Sequence, residues 1–365
     1  MKISGLQILW LIFSMQIGMI LLRLTQAIAQ SKQDAWISVL LAGVAGIGIT
    51  YVSAKVSVLY PNQTFIEFTQ TILGKWLGKI VIITYFFQWY TGSAVIIRRS
   101  SDFLHLALFH RTPVLILIAS MLLLVLYALY EGGIEGIARC SEVIGPLIFI
   151  TLIFIFCLSL NNLDWHMLLP VFTDSGWKDI MKGSLSPTSL LAETFMLVML
   201  IAFMNEPKKG PSQAIWGVGI AFGFVFIATL FVIMTFGPNL SGRMMYAFYD
   251  VVRFISMMEF IQNVDVIIIV VWMTSFFIKL SLYVFICCYG TAQFFRIQNW
   301  RALIWVVIPI VLFLAMLPAN ELFGIEYNQK YLIPFVLPVN FIFIPLLLWF
   351  VGAIRKNKEK EGEHA

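Results

Sequence analysis

Charge is what this chain of 365 residues lacks: 12% of its residues are charged, where an ordinary soluble domain carries about 25%. That scarcity excludes an ordinary soluble domain. The formal net charge of +5 does not point to nucleic acid, because the basic residues lie between apolar runs and read as topology signals; no nucleic-acid partner is expected. Histidine is scarce too, and His105, His110, His166 and His364 are scattered without forming a ligand cluster. The four cysteines, Cys140, Cys157, Cys287 and Cys288, fall in or beside apolar runs with no CxxC or metal spacing. They read as small packing residues. The sequence contains no enzymatic triad, phosphate loop or metal cluster, so neither catalysis nor a cofactor is expected.

Apolar length is what the chain has instead. It is 60% hydrophobic, with a mean hydropathy of +0.91, and bilayer-length apolar stretches recur from end to end. The expectation is a polytopic, all-α integral membrane protein with ten transmembrane helices near 5–29, 35–58, 77–106, 113–130, 136–160, 186–204, 214–236, 264–292, 300–318 and 331–353. In "YPNQTFIEFTQTILGKW", Phe65, Phe68 and Ile72 recur at helical spacing among polar residues, which predicts a short amphipathic helix at the interface. The polar stretch 161–185 separates five spans from five, giving a first half at 1–160, an extracytoplasmic connector, a second half at 186–354 and a tail at 355–365. With the N-terminus inside, cytoplasmic segments collect most of the lysines and arginines outside the runs, among them Lys55, Lys75, Arg139, Lys208 and Lys356. Both termini are therefore expected in the cytoplasm. The start of the chain also resembles a signal peptide ending in "AIAQ", but Ser14, Gln16 and Arg23 interrupt its apolar segment, and retention is expected.

Polar groups deep in a bilayer are costly and face a bundle interior or a water-filled cavity. Lys279 lies in the middle of "DVIIIVVWMTSFFIKLSLYVFICC" (265–288), roughly 14 Å from either interface at helical rise. A lysine stem snorkels only part of that way. Trp272, Ser275, Lys279 and Tyr283 form one helical stripe, and Thr84, Gln88, Thr91 and Gly92 form another. The first span carries Ser14, Gln16 and Gly18, and the short sixth run carries Ser189, Glu193 and Thr194 in "SPTSLLAETF". An interrupted span beginning each half points to a transporter-like site at broken helices. Serine, threonine and glycine also serve helix packing in membranes, whereas an ammonium at that depth requires either an ion pair or a site. Glu193 is the candidate partner.

The succession "ISGLQ", "IGMILL", "KQDAWISVLLAGV", "YPNQTFIEF", "ILGKWLGKI", "RTP", "GIEGIARCSEV", "LLPVF", "FGP" and "VVWMTSFFIKLSLY" resembles the B subunit of nutrient germinant receptors, in the spore germination branch of the amino acid–polyamine–organocation superfamily. The resemblance runs through nearly the whole chain. It implies a LeuT-type fold of two inverted five-helix repeats, with the first and sixth helices broken around a midplane pocket. It also implies a small nutrient germinant as ligand, A and C subunits as partners, and residence in the inner membrane of an endospore. Carried over residue by residue, Gln16 and Gly18 match the break in the first helix, Gln88 and Gly92 the third, Leu190 and Glu193 the sixth, and Ile278 and Lys279 the eighth.

Two positions depart from the family pattern. Arg23 stands where relatives often carry a proline, which bears on the helix break or the ligand. Gln262 and Asn263 replace an acidic–basic pair before the eighth helix. The expected function is a membrane subunit that binds a small nutrient, in the first place an amino acid, and helps trigger germination. The alternatives are a proton-coupled transporter of amino acids or polyamines, and a structural or channel-forming subunit with a vestigial pocket.

Overall fold

The computed structural model describes residues 2–172, 175–255, 264–317 and 323–363, nearly all of them helical; Gln262 and Asn263 lie outside the described residues. The first helix, α1 (Gly5–Leu21), starts on a capping box: Gln7 N–H donates to Ser4 Oγ at 3.2 Å and Ser4 N–H to Gln7 Oε1 at 2.9 Å. Its ladder gives way at Leu22 and Arg23, where Arg23 N–H donates back to Ile20 O at 2.9 Å, and helix resumes as α2 (Leu24–Ser31). α1 is buried on nearly every side from Leu11 to Leu21, because α6, α9 and α11 surround it. A helix apolar all round belongs in such a place.

After α3 (Ala35–Leu59) comes the amphipathic segment, α4 (Phe65–Leu73), capped by Thr64 and Glu67. Phe65, Phe68 and Ile72 are fully buried against α5 (Lys75–Ala107), α11 (Val264–Phe295) and α14 (Ile344–Glu363), so the face marked by spacing packs onto protein.

The expected fourth and fifth spans are the two limbs of α6 (Val114–Ser159), parted at Gly133, where φ 53° and ψ −149° interrupt the helix. Only glycine takes that conformation without a Cβ penalty. The sixth span needs correction, since helix begins at Trp177 rather than at 186: α7 covers Trp177–Leu191. Its first turns are too polar for a hydropathy reading, yet Ile180, Gly183 and Ser184 are buried, and Ser38 Oγ donates to Ile180 O at 2.8 Å. Beyond Leu191 the sixth span is broken into a 3-10 stretch (Ala192–Met196), one α turn as α8 (Leu197–Leu200) and a second 3-10 turn (Ile201–Phe203). Mid-helix 3-10 geometry marks hinges and strain.

α9 (Gly210–Ser241) bends at Gly237, φ 72°, just where the seventh span was expected to end. The short α10 (Ala247–Arg253) packs on α9 and α11, and α12 (Ile304–Met316) is the ninth span. The tenth is a continuous run through α13 (Phe323–Tyr327), a π-helical stretch (Asn328–Phe343) and α14. Pro334 and Pro338 each remove a backbone donor there, and the wider turn accommodates the loss.

Among the described residues, seven helical stretches are long and apolar enough to cross a membrane, and Gly5–Leu21 and Trp300–Met316 are shorter apolar helices. With the bend dividing α6, these supply the ten expected spans of an integral membrane protein. Ile3 forms a bridge with Met204, its N–H donating to Phe203 O at 2.8 Å while Asn205 N–H donates to Ile3 O at 3.0 Å. The chain start is thereby fastened to the far end of the sixth span.

Candidate functional site

The interrupted segments of the first and sixth spans meet at the centre of the bundle. A cavity of about 20 Å³ lies between them, lined by Met19 and Arg23 from the first span, Gln88, Gly92, Val95 and Ile96 from α5, Leu190 and Glu193 from the sixth, Tyr283 from α11, and Tyr327 and Leu332 from the tenth. That volume holds about one water molecule. Larger hollows exist, one of about 680 Å³ between α5, α6 and α11. It is lined almost wholly by apolar side chains, and Leu124 and Tyr127 in its wall are exposed on the outer surface of the bundle, so it is a groove rather than an enclosed site.

Four of the expected site residues, Gln88, Gly92, Leu190 and Glu193, line the central cavity directly. Lys279 reaches it through an ion pair: its Nζ meets Glu193 Oε2, with the lysine side chain 0% and the glutamate 9% exposed. The 3-10 turn at Ala192–Met196 carries the carboxylate, and the α11 stripe carries the ammonium. Losing one member of such a pair costs about 3–5 kcal/mol, because the other is left charged in a low-dielectric interior. Gln88 is committed on one side, its Oε1 accepting from Asn340 Nδ2 at 2.7 Å.

The other expected residues have different tasks. Gln16 Nε2 donates to Leu191 O at 3.1 Å, so it ties α1 to the point where α7 loses its α geometry. Gly18 is corrected: α-helix continues through it to Leu21, and the break falls at Leu22–Arg23. Gly18 is instead a close-approach point. Its N–H donates to Ser275 Oγ at 3.0 Å, Ser275 Oγ donates to Ser14 O at 2.5 Å, and a Cβ on Gly18 would lie 2.5 Å from Ser275 Oγ. At Gly92 a Cβ would lie 2.7 Å from the Tyr283 ring. Ile278 is fully buried but is not among the cavity-lining residues.

Residue reasoning left out Arg23, Tyr283 and Tyr327 as lining residues. Tyr283 was already on the α11 stripe, and Arg23 was an arginine inside an apolar run, so both carried a readable signal. Tyr327 lies ahead of the apolar run expected to start at 331, and no hydropathy signal reaches it. Its neighbour Asn328 joins three segments: Asn328 Nδ2 donates to Gln26 Oε1 at 2.8 Å and to Ser186 Oγ at 2.7 Å, and Ser189 Oγ donates to Asn328 Oδ1 at 3.1 Å. The arrangement offers a bound small molecule charge, hydroxyls and an apolar wall, and no group of histidine, cysteine and acidic residues among the described residues could hold a metal ion.

The profile of a family described as "Spore germination protein" matches residues 2–323. Spore germination protein YndE of Bacillus subtilis (strain 168) is 26% identical over 364 residues, covering 98% of both chains. Spore germination protein KB of the same organism is 25% identical over 375 residues, covering 100% of this chain and 98% of its own. Among solved structures, MhsT in complex with L-phenylalanine superposes with a TM-score of 0.70 at 12% identity, covering 98% of each chain. Mhp1, a nucleobase-cation-symport-1 family transporter, superposes with a TM-score of 0.61 at 11% identity, covering 88% of this chain and 74% of its own. These likenesses show a LeuT-type fold.

Proposed function

The chain belongs to the spore germination protein family, and from that premise we propose that it is the nutrient-sensing membrane subunit of a germinant receptor. A small nutrient, in the first place an amino acid, binds between the broken first and sixth helices. The observation that carries this reading is the central cavity itself: walled by both interrupted helices and backed by the buried Lys279–Glu193 pair. Gln88, Gly92, Leu190 and Glu193 form its wall, while Gln16, Gly18, Ile278 and Lys279 set the helices around it. The two five-helix halves, 1–160 and 186–354, would move as repeats about this site.

A cavity of about 20 Å³ is too small for any amino acid, so binding requires a second, roomier arrangement. A ligand shifts such an equilibrium only by its difference in affinity for the two arrangements. That is the work of a sensor, and A and C subunits in the inner membrane of the endospore would read it out, with both termini in the cytoplasm. MhsT's complex with L-phenylalanine supports an amino acid as the occupant of a fold of this type.

The second reading, a proton-coupled transporter, is favoured by one feature: an ion pair in the core can exchange a proton when the helices part. The full chain reconstituted in proteoliposomes separates the two. Binding of labelled L-alanine, L-valine or L-phenylalanine without accumulation inside supports the sensor; accumulation driven by a proton gradient supports the transporter. Neither binding nor flux refutes the cavity as a nutrient site for these compounds.

A further inference from the structure

This inference rests on the reading just given, that a small nutrient occupies the central cavity, and it concerns which chemistry the cavity accepts. Two buried cations belong to the site, and their circumstances differ. Lys279 has its acid, Glu193. Arg23 is 5% exposed and lines the cavity, yet its Nη2 has only Gly324 O, at a long 3.3 Å, and its Nε has no hydrogen-bond partner among the described residues. Among the described residues Glu193 is the one acid in the cavity wall, and Lys279 already holds it. Counting Arg23, Lys279 and Glu193 together, the site carries one positive charge in excess.

Arg23 sits between the C-terminus of α1 and the N-terminus of α2, whose opposite backbone potentials offset, so the excess charge is that of the side chains. A buried guanidinium with unmet donors is costly unless an anion satisfies it. Carboxylate geometry matches the guanidinium fork, which gives both strength and orientation. The rest of the wall, Val95, Ile96, Leu190 and Leu332 with the open face of Gly92, suits a small apolar body.

We propose that Arg23 is the specificity-determining residue of the site: it holds an anionic group of the nutrient, a carboxylate, against the break in the first helix, and the cavity rejects amines that lack one. A zwitterion places its carboxylate on Arg23. A diamine brings only cations to a site with no uncommitted acid.

The test is calorimetric titration of the purified full chain in detergent with L-alanine, L-valine and L-phenylalanine, with the carboxamide of each, and with putrescine and D-glucose. The proposal expects at least one free amino acid to bind and its carboxamide to bind at least about tenfold more weakly, the loss of a charge-assisted contact. Arg23→Gln should weaken the acid by about tenfold to a hundredfold and erase the preference for acid over amide. Arg23→Lys should keep part of that preference. Equal affinity for acid and amide in the parent overturns the proposal, and this comparison needs no variant to fold. An unchanged affinity in Arg23→Gln overturns it as well, as does binding by none of these compounds. Gly92→Leu separates the two levels of the argument. If putrescine or glucose binds and Gly92→Leu abolishes that binding, the cavity reading stands and the role of Arg23 falls. If binding of any compound survives Gly92→Leu, the cavity reading falls and the inference falls with it.

Discussion

The eighth span and the first each carry a cation into the core, and the protein treats them in opposite ways. Lys279 is closed off by Glu193, a partner supplied by the sixth span, so its charge is spent inside the protein. Arg23 has one long contact to a backbone carbonyl and faces the cavity. The first arrangement resembles a structural pin and the second an open hand. Burial is nearly the same in the two cases, so it does not distinguish a fastening from a site. What distinguishes them is whether an acid is already in place.

The largest expected effect tests that difference directly. Lys279→Met strands the Glu193 carboxylate and should cost about 3–5 kcal/mol, read as depletion of the protein in membrane immunoblots. Combining it with Glu193→Gln should restore abundance without restoring the nutrient response. Arg23→Gln strands no acid among the described residues, so it should accumulate close to the parent level. Equal depletion of Lys279→Met and Arg23→Gln would erase the contrast between the two regions.

Next in size are the glycines that let other helices approach. Overpacking a tight contact costs typically about 1–3 kcal/mol. Gly18→Ala forces the Ser275 hydroxyl away from the first helix and should lower the thermal midpoint in detergent. Gly92→Ala pushes on the Tyr283 ring at the cavity wall, so it should raise the nutrient concentration needed for half-maximal germination more than it lowers the midpoint. A Gly18→Ala protein as stable as its parent would show that the first and eighth spans are looser than their hydrogen bonds indicate.

Asn328→Ala should rank third. It takes away the donor shared by Gln26 Oε1 and Ser186 Oγ, while Ser186 Oγ keeps its own bond to Gln26 Oε1, so it should cost about 1 kcal/mol, measured as a lower midpoint of unfolding. The smallest effect belongs to the cap of α1, where Ser4→Ala should cost about 1 kcal/mol and leave the preference for acid over amide untouched. Loss of that preference in Ser4→Ala would mean that the chain start acts on the cavity.

Much of this was legible in the sequence, for reasons that differ from place to place. The α11 stripe was readable because an ammonium in a long apolar helix has few explanations, and Glu193 was readable as the nearest unexplained acid. The face of α4 and the existence of most spans follow from spacing and polarity alone. The errors came where polarity and structure part company. The first turns of α7 are amphipathic, with Ile180, Gly183 and Ser184 buried while Lys178 and Lys182 stay exposed, so their mean polarity hides a helix that packs on α3. The resemblance puts the break in the first helix at Gln16 and Gly18, but here that glycine admits Ser275 and the ladder yields at Leu22 and Arg23 instead. Tyr327 could not be found, because nothing local records that the tenth span reaches back to the cavity.

The hydrogen bonds of the first helix also set a schedule for making the protein. Gln16 waits for the carbonyl of Leu191, Gly18 for the hydroxyl of Ser275, and Ile3 for the backbone of Phe203 and Asn205. A ribosome adds about 5–20 residues each second, so roughly ten to fifty seconds separate synthesis of Gly18 from that of Ser275. Throughout that interval the helix carries polar groups with no permanent neighbours, either in the insertion machinery or at its lipid margin. The first span to be made is therefore among the last to be seated, and a ribosome that stalls before residue 275 leaves the centre of the bundle outside it.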